Sequence, residues 1–302
     1  MGNGIAMSGT KTRHLARAAL FAATFIWGVS FVTMKNVLAS VSPLYIISIR
    51  FCGSALVLLP VCANKLKHID KAYWLGGFFM GLALLFGYVC QTFGLQLTTP
   101  GKSAFLTSAY CIIVPFLYWL FIKKKPDVYN VTAAFICIAG IGLITVDSSL
   151  RIGTGDALTV GCGFFFAVHI VITSKFVTNR DPITLVMLQF FFSGVAALIC
   201  AIVFESPPTD LTSVDVWNLV FLTAICTALC IVLQVFAQKQ LPPSQAAVIM
   251  TFESVFGALS SFILYKEVLT VKLTAGFALT FAAVIISETK LKFLRASRKD
   301  TL

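Results

Sequence analysis

Acidic charge is what this sequence has least of: 12 Asp and Glu stand against 23 Lys and Arg in 302 residues, with only 3 His. All charged residues together make 12% of the chain, while 58% is apolar, far from the roughly 25% charged of a soluble domain. No polar stretch of domain length interrupts the apolar runs, which excludes a large extramembrane catalytic or binding domain. The nine cysteines lie scattered, with no Cys-x-x-Cys pair and no His partners at metal-ligand spacing. Disulfide and zinc frameworks are therefore not expected, nor is any cofactor or metal. Gly-x-Ser-x-Gly and His-Glu-x-x-His are also missing, as is any acidic pair at catalytic spacing, so no enzyme motif is present.

What the chain has is a near-continuous series of apolar segments. Each approaches the roughly 20 residues needed to cross a bilayer as a helix, and short connectors with Pro, Asn, Asp and Lys separate them. The sequence predicts an all-α polytopic membrane protein of ten spans: 15–34, 43–62, 72–93, 101–122, 128–146, 157–177, 183–204, 216–238, 244–265 and 271–288. Residues 1–14 and 289–302 are read as cytoplasmic tails and 147–156 as a connector. The first apolar segment follows basic residues as in a signal peptide, but it is of full span length and is read as a retained helix.

The net charge of +11 does not call for nucleic acid. With the connectors assigned alternately to the two sides, seventeen of the 23 Lys and Arg fall on the side of the N-terminus, five on the other, and Arg50 falls within a span. By the positive-inside rule both termini are cytoplasmic. The expected location is a cytoplasmic (inner) membrane of bacterial type, with the lipid bilayer as the protein's surroundings.

The second half of the chain repeats the first. At one constant offset Gln91 meets Gln234, Phe93 meets Phe236, Pro100 meets Pro243, Ala104 meets Ala247 and Lys123 meets Lys266. At a slightly different offset Pro43 meets Pro182, Arg50 meets Gln189 and Ser54 meets Ser193. The copies, 15–146 and 157–288, hold five spans each, so the second is inverted relative to the first. Inverted repeats around a midplane site are characteristic of secondary transporters. Pro100 and Pro243 open spans four and nine; free N–H groups there can attract an anion, or the prolines serve only as turn residues.

Several segments together resemble the drug/metabolite transporter superfamily, specifically its ten-span EamA-type members: WGVSFVTMK from Trp27, Arg50, GKSAFLTSAYCIIVPF from Gly101, and ESVFGALSSFILYKEVLT from Glu253. The resemblance spans nearly the whole chain and implies transport of small metabolites without naming one. Two positions depart from the family pattern: Lys124 stands where a glutamate is common, as at Glu267 in the second copy, and Ser254 replaces a proline.

An ionisable group at the centre of a membrane helix costs about 2.5–3.5 kcal/mol on insertion scales and needs a partner, water or a purpose. Glu253 lies ten residues past Pro243, roughly 15 Å along span nine. It suits a substrate amine or proton exchange; the alternative is a structural pairing with Arg50 or with hydroxyls. Arg50, seven residues past Pro43, offers a donor fork for a substrate anion or a bridge between helices. His169 fits a proton relay or a neutral packing role. Polar stripes at helical spacing (Ser103, Thr107 and Tyr110; Thr223, Thr227, Cys230 and Gln234), with Gln91 on span three, fit a cavity lining or helix adhesion. Trp27, Phe31 and Tyr88 would form an aromatic wall, and Gly77 and Gly81 a close helix contact.

The function expected is secondary active transport of small metabolites, such as amino acids or nucleobases, by alternating access, with export as the preferred direction and protons as a coupling ion. The alternative is a channel-like facilitator or lipid-handling protein of the same fold. Oligomeric state is left open.

Overall fold

The computed structural model describes residues 3–123, 125–145 and 152–290. Expectations for Lys124, for residues 147–151 of the 147–156 connector and for the basic tail from 291 lie outside the described residues. Among those described, the chain is helical apart from short turns and one isolated bridge residue. The elements are α1 (Asn3–Val37), α2 (Pro43–Cys62), α3 (Lys71–Leu97), α4 (Pro100–Thr107), α5 (Tyr110–Ile122), α6 (Val128–Thr145), α7 (Thr154–Val177), α8 (Pro182–Phe204), α9 (Ser213–Val220), α10 (Cys230–Gln240), α11 (Pro243–Ser260) and α12 (Val271–Thr289). Two π-helical segments, Phe221–Leu229 and Ser261–Tyr265, join α9 to α10 and extend α11.

Eight helical stretches are long and apolar enough to cross a membrane, and two more, Val128–Ile144 and Val271–Ile286, are shorter apolar helices. The protein is thus a polytopic membrane protein, with helices at all ten places the sequence marked. The starts follow local chemistry. Pro43, Pro100, Pro182 and Pro243 each sit in the first helical turn, where the missing N–H costs nothing. Thr99, Asp181 and Thr270 cap their helices through side-chain oxygens. Spans four and nine both end on a lysine in the left-handed region, Lys123 at φ 62° and Lys266 at φ 58°.

Three spans differ from the expected continuous α-helices, span nine through its π-helical end at Ser261–Tyr265. Span four breaks at Ser108 and Ala109 between α4 and α5, where Cys111 N–H turns to Ser108 O (3.0 Å). Gly163 of α7 meets the break: a Cβ there would come within 3.1 Å of Thr107 O. The face on which Ser103, Thr107 and Tyr110 were placed is therefore split. Span eight departs through its π-helical middle.

The packing is by close helix pairs: α3 against α7 and α8, α1 against α10 and α11, α2 against α8, and α6 against α12. Gly77 and Gly81 allow the α3–α8 approach, since added Cβ atoms would lie 2.5 Å from Leu188 Cβ and 2.7 Å from Gln189 O. At one end of this pair Asp181 binds Lys65 (2.8 Å) and accepts from Thr184 N (3.0 Å). Partial burial pushes the Asp181 carboxyl up, but the bonds from Lys65 and Thr184 outweigh it and hold the group below its ordinary value.

At the opposite end, long-range polar contacts close the helix termini. Glu205 accepts from Leu44 N (2.9 Å) and Tyr45 N (3.2 Å) at the start of α2, and Lys35 donates to Leu95 O, Gln96 O and Thr98 O at the end of α3. Glu267 accepts from Gly101 N (3.0 Å) and from the Thr99 and Ser261 hydroxyls at the start of α4. The anion expected at the Pro100 helix start is thus a carboxylate of the chain itself.

Candidate substrate site

The helix faces converge on one cavity. Along α1, Trp27, Phe31 and Met34 fall on one face; along α3, Leu84, Tyr88, Gln91 and Leu95 do; Met250 and Glu253 lie three apart on α11. Arg50 of α2, Tyr110 at the start of α5, Phe166 and His169 of α7, and Ile231 and Gln234 of α10 complete most of the lining. The space between these side chains, counted together with its open mouth, is about 630 Å³.

Eight of the nine site residues named from the sequence border this cavity: Trp27, Arg50, Tyr88, Gln91, Tyr110, His169, Gln234 and Glu253. Thr107 does not. It lies behind the wall, where Gln91 Nε2 donates to its hydroxyl (3.4 Å) and Cys162 Sγ lies 3.3 Å away. The break after Thr107 explains the displacement, because the helical phase that would align Thr107 with Tyr110 is lost there.

Arg50 is 3% exposed, yet no carboxylate pairs with it among the described residues. Its Nε donates to Thr227 Oγ1 (2.8 Å), Nη2 reaches the Tyr88 hydroxyl (3.4 Å), and Cζ sits 4.7 Å from the Tyr88 ring centroid. That distance suits a cation–π contact. Tyr88 is itself fixed by edge contacts with Phe51 and Phe166. Glu253, 8% exposed, has neither an ion pair nor a hydrogen bond among the described residues. The structural Arg50–Glu253 pair left open by the sequence is therefore not formed.

Other polar groups divide into satisfied and unsatisfied. Trp27 Nε1 donates to Cys226 O (2.7 Å), so only the indole face is left for the cavity. His169 Nε2 lies 2.9 Å from Gln189 Oε1 and 3.4 Å from Thr173 Oγ1, a bonded histidine in the wall. Gln234 Nε2 donates to Gln238 Oε1 (3.2 Å), and Gln238 Nε2 to Ile170 O (3.2 Å). By contrast, the buried Tyr110 hydroxyl and Thr92 Oγ1, both on the cavity, have no hydrogen-bond partner among the described residues. Burying such groups unpaired costs about 1–3 kcal/mol each, a cost that a polar ligand or water would relieve.

Thr227 and the Cys226 carbonyl were not recognised from the sequence as supports of Arg50 and Trp27. Both contacts come from the π-helical segment, and α-helical spacing gives no warning of a π-turn.

Comparison with known proteins finds matches over nearly the whole chain. The model of the EamA-like transporter family matches residues 15–146 and again 153–289. An uncharacterized transporter of Archaeoglobus fulgidus is 30% identical over 276 residues, covering 91% of this chain and 86% of its own length. The uncharacterized transporter YoaV of Bacillus subtilis is 23% identical over 279 residues, covering 89% and 94%. A solved crystal structure, titled only as that of a protein, superposes with a TM-score of 0.72 at 14% identity, covering 92% of this chain and 98% of its own. That likeness concerns the fold alone.

Proposed function

We propose, from the premise that the chain belongs to the EamA-like transporter family and is a membrane transporter, that it is a secondary carrier with one central binding site. In this reading it moves small metabolites, such as amino acids or nucleobases, in the export direction by alternating access. Proton exchange at Glu253 couples the cycle. The observation that carries the reading is a cavity holding a carboxylate, Glu253, and an arginine, Arg50, neither of which has an ion-pair partner among the described residues. An acidic and a basic side chain in one cavity without an ion pair between them suit a ligand that meets both.

The ten-span, five-plus-five inverted organisation is part of the proposal, and its support is the contact pattern. Exchanging span one for six, two for seven and so on turns α3–α7 into α10–α1, and α3–α8 into the contact of α2 with the Phe221–Leu229 segment. The pairs α2–α8 and α6–α12 map onto themselves. The left-handed Lys123 and Lys266 occupy equivalent places. In alternating access the two copies rock about the site.

A thermal-shift screen of the purified protein against amino acids, nucleobases, polyamines, sugars and quaternary cations tests the reading, because a ligand that binds only the folded state raises the melting temperature. The expected result is a shift for one chemical class that is lost in Glu253→Gln or Arg50→Ala while their unliganded melting holds. A shift that survives both substitutions would place binding elsewhere.

A further inference from the structure

The π-helical segment Phe221–Leu229 contributes more to the cavity than a change of pitch. A π-turn bonds i to i+5 and takes groups off the α-helical ladder. Here Leu222 O accepts the Thr227 hydroxyl (2.7 Å), Thr223 O accepts Ser54 Oγ of α2 (2.9 Å), and Cys226 O accepts Trp27 Nε1 of α1 (2.7 Å). Gly53 makes room for the approach of α2, since a Cβ there would lie 2.6 Å from Thr223 Cγ2.

These bonds fix what Thr227 can do. A hydroxyl has one proton, and that proton is given to Leu222 O. The lone pairs of Oγ1 then face Arg50 Nε at 2.8 Å. The guanidinium is held by Nε on one side, reaches the Tyr88 hydroxyl through Nη2 (3.4 Å) and lies over the Tyr88 ring, while Nη1 has no partner among the described residues. The equivalent of Thr227 in the first copy is Leu84, in the uninterrupted helix α3. The support for an arginine therefore belongs to one copy alone.

We propose that Thr227 is a positioning residue: with the π-helical segment behind it, it holds Arg50 so that the free edge of the guanidinium forms a carboxylate-binding subsite of the cavity. This rests on the reading of the cavity as the substrate site. The subsite is selective by geometry, since a guanidinium fork matches a carboxylate best when its plane is fixed.

Benzoate and benzamide, which share a flat ring and differ in charge, serve as probes. Their binding is read from Trp27 fluorescence in a protein carrying Trp74→Phe, Trp119→Phe and Trp217→Phe. That parent is expected to bind benzoate about ten-fold more tightly than benzamide, a factor worth about 1.4 kcal/mol. Thr227→Val, which keeps the side-chain shape, should erase the preference and leave benzamide affinity unchanged; Thr227→Ser should restore it. If the valine variant lacks a cooperative melt, Thr227→Ala takes its place. Full benzoate preference in Thr227→Val, together with its loss in Arg50→Lys, would overturn the positioning role and leave the site itself standing. No benzoate preference in the parent protein would reject the subsite and the positioning role together.

Discussion

At the residue scale, the chemistry rests on two ionisable groups, Glu253 and Arg50, that have no ion-pair partner among the described residues. Glu253 and Arg50 border the same cavity and form no ion pair. Arg50 is held by neutral groups, Thr227 and Tyr88, so its charge is available to a ligand. In Glu253→Gln, transport is expected to fall by about ten-fold or more, the rate equivalent of at least roughly 1.4 kcal/mol, and to lose its pH dependence. Uptake into proteoliposomes at a series of pH values checks this; full transport with an unchanged pH profile would remove Glu253 from the coupling role. Both residues were legible in the sequence because charge inside an apolar segment stands out. Their surroundings were not. The pairing with Arg50 was an open alternative until the geometry supplied Thr227, and Thr107 was placed on the cavity by a helical phase that the break at Ser108 interrupts.

Helix ends and helix contacts set the next scale. The starts of α2, α8 and α11 at Pro43, Pro182 and Pro243 fall within a residue of the expected limits, because proline and the polar residues before it act locally. The break in span four and the π-turns in spans eight and nine were not readable: they depend on how carbonyls and hydroxyls of neighbouring helices compete for partners. Glu267 illustrates the same point, since its sequence position told only that a carboxylate follows span nine, whereas the fold sets it on the start of α4. Glu267→Ala is expected to lower stability by about 1 kcal/mol through loss of that cap, read as a lower melting temperature. At the α3–α8 contact, Gly81→Ala should cost about 1–3 kcal/mol, because the backbone at Gln189 cannot yield as a side chain would. An unchanged melting temperature in Gly81→Ala would show that the two helices separate freely.

On the scale of the whole molecule, the repeat and the distribution of basic residues were the most readable features, since both are summed over many positions. The helix pairings that support the proposed repeat are properties of the three-dimensional packing. Orientation is open to a direct check. In a cysteine-free background, Lys67→Cys should react with a membrane-impermeant maleimide only from the cytoplasmic side, and Asp210→Cys only from the outer side. Labelling of both from one side would contradict the inverted arrangement.

The central claim is that a ligand binds in the cavity and is carried across by exchange of access between the two sides. Counterflow in proteoliposomes tests it most directly: vesicles are loaded with an unlabelled compound that raises the melting temperature, and entry of the same labelled compound is followed at low external concentration. Saturable, transient accumulation above the external level is expected, as is its absence in Arg50→Ala. Flux that rises linearly with concentration and shows no overshoot would contradict it and identify a channel instead.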